Sequence, residues 1–106
     1  MAVFTRTFIY EATGAVTDAE IGFISVEKGF KITILELGFK LDSEGQIKGY
    51  LVDAKVDDID YELMPGINER VVVNRVMSEG EIHRWYGTIG AAGTMVVYAV
   101  YDKVKS

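Results

Sequence analysis

The sequence predicts an all-β domain: an antiparallel, jelly-roll-like β-sandwich of seven to eight strands with little or no helix. Three observations predict it. Tracts such as FKITILELGFKL, RVVVNRVM and GTMVVYAVYDKV are dense in β-branched and aromatic residues, which suit a pleated, half-buried surface. Turns rich in glycine and small polar residues separate these tracts at short intervals. No useful window carries the apolar period of a helix.

Taken in order, VFTRTFIYE alternates, with Phe4, Arg6, Phe8 and Tyr10 on one face and Val3, Thr5, Thr7 and Ile9 on the other. ATGAVTDAE follows as a small-residue loop, and IGFISV as a second strand. The Glu27-Lys28-Gly29 turn uses a glycine able to take positive φ. FKITILELGFKL is apolar on both faces and belongs in the centre of a sheet. Gly38 within it suggests a bulge or a close backbone crossing. The DSEG turn then returns the chain as QIKGYLVDA, read as the antiparallel hairpin partner of the preceding strand. VDDIDYEL alternates, with Ile59, Tyr61 and Leu63 opposite Val56, Asp58, Asp60 and Glu62. Pro65-Gly66 makes a loop. ERVVVNRVM, the SEGE turn, IHRWYGT, the loop IGAAG and TMVVYAVYDKV complete the chain. The expected core is Ile32, Ile34, Leu35, Leu37, Leu51, Ile59, Val72, Val97 and Val100.

With 106 residues and no linker or internal repeat, residues 1–106 are expected to form one domain. A hydrophobic fraction of 49% and a mean hydropathy of +0.16 exceed what a small sandwich readily hides. The surplus predicts an exposed apolar surface and hence self-association. A net charge of −5 and a pI near 4.8 argue against nucleic acid and anionic lipid as partners, since both need clustered Lys and Arg. The amino-terminal tract lacks the charged and apolar regions of a signal peptide. IGAAGTMVVYAVY is too short to span a bilayer as a helix, which takes about 20 residues. With no cysteine, no disulfide or zinc–thiolate site is available, and folding in a cytoplasm is the simplest expectation.

Residues suited to chemistry are sparse, so the chain is expected not to be an enzyme and to need no cofactor. Asp53, Asp57, Asp58, Asp60 and Glu62 form an acidic stretch. Strand spacing spreads Asp58, Asp60 and Glu62 along a face by about 7 Å per pair, and no glycine bends them round a cation as a calcium loop does. The expectation is a solvated strand face and no metal site. His83 is the only histidine, too few for a metal-binding cupin barrel. Ser78 lies in a plain turn with no nucleophile elbow, so no triad with His83 and Glu81 is expected. The glycines match no phosphate-binding motif. The candidate interface residues are His83, Trp85, Tyr86, Tyr98 and Tyr101, because aromatics are enriched in interfaces. Trp85 and Tyr86 face opposite ways on a strand, as do Tyr98 and Tyr101, so one of each pair is expected in the core.

From Val26 onward the order of signals resembles the small jelly-roll modules of virus and bacteriophage structural proteins, such as decoration, spike and tail-associated modules. The residues that carry it are the VEKG turn before ITILEL, the SEGE turn before a late strand, and the closing GTMVVYAV. The resemblance implies a homo-oligomer, trimeric or pentameric, possessing a structural role on a virion beside other virion proteins, and located there or in the cytoplasm. It carries over no site residues. The alternative is a module binding a carbohydrate or another small ligand through Trp85 and nearby tyrosines.

Overall fold

The computed structural model describes residues 3–42, 45–51, 59–63 and 69–106. Among them are eight strands: β1 (Val3–Ala12), β2 (Val16–Ser25), β3 (Phe30–Leu41), β4 (Gly45–Leu51), β5 (Ile59–Leu63), β6 (Glu69–Met77), β7 (Ile82–Ile89) and β8 (Gly93–Lys105). No helix occurs among the described residues. Two four-stranded antiparallel sheets result, sheet A in the order β1-β8-β3-β6 and sheet B in the order β2-β7-β4-β5. First pairs with last, second with seventh, third with sixth and fourth with fifth, as in one long hairpin rolled over on itself. The predicted jelly-roll sandwich is the observed fold.

Alternation builds the interior. In β8, Met95, Val97 and Ala99 are fully buried, and Val96, Tyr98 and Val100 between them are half-buried on the outer side. In β7, His83, Trp85, Gly87 and Ile89 point inward, and Ile82, Arg84, Tyr86 and Thr88 point outward. The register of β1 against β8 pairs Phe4 with Tyr101 and Phe8 with Val97, confirming the two faces read for the first strand. At one end, the turn before β3 and the turn before β7 are tied together. Val26 N–H donates to the Glu81 carbonyl at 3.0 Å, Gly80 N–H donates to the Val26 carbonyl at 3.0 Å, and Gly29 N–H donates to Glu79 Oε1 at 3.0 Å. Gly29 has φ +85°, the conformation expected of it.

Three sequence expectations are corrected. First, β3 and β4 do not form a hairpin. β3 lies between β8 and β6 in sheet A, and β4 between β7 and β5 in sheet B. A turn such as DSEG reverses the chain equally well when the two strands face each other across the core. Second, the loop after the first strand is shorter than read, because β2 begins at Val16 and carries two register shifts against β7, with Asp18 at φ +49°. Third, the core list changes. Ile32, Ile34, Leu37 and Val97 are buried, Leu35 and Val100 are only half-buried, and Val72 is 70% exposed. A bulge explains Leu35: against β8, Ile34 pairs with Tyr101 and Glu36 with the adjacent Val100, so Leu35 is the extra residue. Against β6 the extra residue lies on β6, between Arg75 and Val72, where Asn74 has φ +48°. The inward phase of β3 changes at Leu35, from Ile32 and Ile34 to Leu37, Phe39 and Leu41. Gly38 is not the bulge. The side chains of Leu51 and Ile59 lie outside what is described, as do Asp53, Asp57 and Asp58 and the side chains of Asp60 and Glu62.

Candidate interaction surface

The five aromatic and imidazole candidates divide between the interior and two opposite faces. His83 and Trp85 are fully buried, and Tyr101 is 8% exposed. Tyr86 is half-buried on the outer face of sheet B, and Tyr98 half-buried on the outer face of sheet A. Strand alternation therefore separates each pair as read, but an accessible His83 is corrected to a core histidine, and no single aromatic platform exists. Trp85 is enclosed by Phe8, with ring centroids 5.5 Å apart, and by the edge-on His83 ring at 5.2 Å. Phe4 stacks on Tyr101 at 5.5 Å. Burial, with the Arg75 charge adding to it, lowers the His83 pKa to about 4, so the imidazole is neutral at physiological pH.

The two outer faces differ in chemistry. On sheet B, Arg84 Nε lies 3.7 Å from Glu20 Oε1, and its guanidinium sits over the Phe23 ring at 6.0 Å. Asp18 N–H donates to Thr88 Oγ1 at 2.9 Å. Lys48 and Gln46 stand opposite Tyr86 and Thr88 on β4. Among the described residues this face is polar, with Phe23 its one exposed aromatic. On sheet A, register places Val3, Thr5, Thr7 and Ile9 of β1 beside the outward residues of β8. On the far side, Val72 stands opposite Glu36 and Val76 opposite Thr33. Val3, Ile9, Val72 and Val76 are all more than half exposed. This aliphatic surface is not legible in the sequence, where RVVVNRVM is apolar on both sides of the strand and Val72 is expected in the core.

Among the described residues, no group of three or more His, Cys, Asp or Glu side chains could hold a metal ion, and no helix is long and apolar enough to cross a membrane.

No protein-family model matches the chain, and no curated protein matches it. Among solved structures it is similar to the Drosophila NLP core, a nucleoplasmin-type fold, with a TM-score of 0.55 and 16% identity over 99% of this chain and 100% of that one. That structure is described as informing pentamer formation and histone binding. The match overturns the resemblance to virion modules, and with it the structural role on a virion, the virion partners and the virion location. The strand-and-turn order behind that resemblance specifies a jelly roll, and a fold of this kind hosts unrelated functions. The carbohydrate-binding alternative falls as well, since Trp85 is enclosed and the outward tyrosines lie on opposite faces.

Proposed function

We propose that this chain is the assembly core of a histone chaperone, forming a ring of five copies and binding histones without turnover. The observation that carries the reading is end-to-end similarity to the NLP core, which leaves almost no part of either chain unmatched. Charge supports it. A net charge of −5 suits small, strongly basic partners, which a field of opposite sign attracts and orients. The apolar outer face of sheet A supports the oligomer, since isolated sandwiches rarely leave such a face to water. Binding histones would place the protein in the nucleus of a eukaryotic cell.

Light scattering after size exclusion, run with and without purified core histones, tests this. The expected result is a five-copy mass that gains histones at low salt and releases them at high salt. A single-copy mass with no histone complex at low salt overturns the proposal.

A further inference from the structure

The water-facing side of an antiparallel sheet is ordinarily polar, with apolar residues reserved for the inner side. Sheet B follows that rule with its Glu20–Arg84 pair. Sheet A does not: Val72 and Ile9 are 70% and 61% exposed at opposite edges of its outer face, with Val96 and Val100 between them. We infer that the outer face of sheet A is one of the two surfaces through which each copy of this chain meets its neighbours in the ring, an assignment that rests on the oligomeric reading above.

Size, charge and edge geometry select a second copy as the occupant. Four strands about 4.8 Å apart and roughly 30 Å long give a footprint of about 600 Å² before side-chain relief is counted. That approaches the roughly 800 Å² per partner of a standard stable interface. Among the described side chains, the charged residues on this face have both signs, Lys31 and Lys40 against Glu11, Glu36 and Asp102 in the β3 and β1 registers. The face thus carries little of the chain's net charge of −5. A neighbouring copy, itself acidic overall, meets this face without strong repulsion, and a basic partner finds little to attract it. At the rim, β1 keeps an unbroken ten-residue register with β8, whereas edge strand β2 is interrupted by two shifts and edge strand β6 by one. A long regular edge left open beside an apolar face favours pairing with another chain, so covering this face also protects that edge.

The test compares Val72→Asp and Ile9→Lys, at opposite edges of the face, with Tyr86→Lys on sheet B. All three positions point outward, and circular dichroism with a melting curve checks that each variant folds. Light scattering at tens of micromolar is expected to give the parent's mass for Tyr86→Lys and the single-chain mass of 11.8 kDa for the two sheet A variants. Should one sheet A variant fail to fold, the other carries the test. Sheet A variants that keep the parent's mass, or disassembly by Tyr86→Lys alone, overturn the assignment. Histone binding measured on the same parent sample separates the two proposals. An assembled parent that ignores histones overturns the chaperone reading and leaves the interface standing. A monomeric parent overturns the interface.

Discussion

At Gly38 the absent side chain does the structural job. A Cβ there would lie 1.7 Å from Cε1 of Tyr98, its direct partner across the β3–β8 ladder. The tyrosine ring thus lies over the glycine and covers backbone that glycine leaves bare. Gly38→Ala should cost about 1–3 kcal/mol, the usual range for overpacking. The same substitution should cost clearly less in a Tyr98→Ala background, a coupling that urea denaturation of the four-member cycle measures. The sequence marked Gly38 as unusual but not its reason, because the ring that needs the space is 60 residues away. His83 illustrates another limit. Both faces of IHRWYGTI are partly apolar, so alternation shows that His83 and Trp85 share a side without showing that this side is the core. The neutral, buried imidazole makes stability depend on pH. The folded pKa of about 4 lies below the ordinary 6.5, so the unfolded chain takes up the proton first. The contribution is therefore complete above about pH 6.5, declines as pH falls, and levels off below about 4, a total of about 3 kcal/mol. Urea midpoints for the parent should fall between about pH 6.5 and 5, whereas those of His83→Leu should stay nearly flat there.

At the scale of the element, β3 is the informative strand. Its length, β-branched content and central place were legible from residues 30–41, but the reversal of its inward phase at Leu35 was not. A bulge adds one residue without altering composition, and a twofold pattern counted straight through it assigns the wrong side from that point. The consequence for stability is specific. Leu37→Ala, at a position with no exposed surface, should cost about 2–5 kcal/mol. Leu35→Ala, at the half-buried bulge, should cost about 1 kcal/mol or less, as substitutions away from a packed core do. Equal losses in chemical denaturation would place Leu35 in the core after all. Turn chemistry had a matching blind spot. DSEG, SEGE and the Gly29 turn each read as a reversal in the sequence, yet the strands on either side of each lie in different sheets. The residues of a turn specify reversal and leave open whether the next strand lies alongside or across.

For the molecule as a whole, the apolar surplus was readable from composition, whereas its location required the nested pairing. Val72 and Ile9 reach one face only because β6 and β1 are opposite edges of the same sheet, a relation fixed by β8 and β3 between them. That also explains why the candidate aromatics do not form one surface, since Tyr86 and Tyr98 are close in sequence and lie on opposite sides of the sandwich. Apart from β4 with β5, every paired strand joins distant parts of the chain. Refolding should therefore be slow for a domain of this size, in milliseconds to seconds, as stopped-flow tryptophan fluorescence from the enclosed Trp85 can report. The position of β8 has a consequence for the cell as well. β8 separates β1 from β3, so neither has its principal neighbour until the last part of this sequence has left the ribosome. Until β8 emerges the nascent chain presents β1 and β3 with open edges, and their aromatic and aliphatic residues, such as Phe4, Ile9, Ile32, Ile34 and Leu37, are then exposed to neighbouring polysomes and to the chaperones that patrol them.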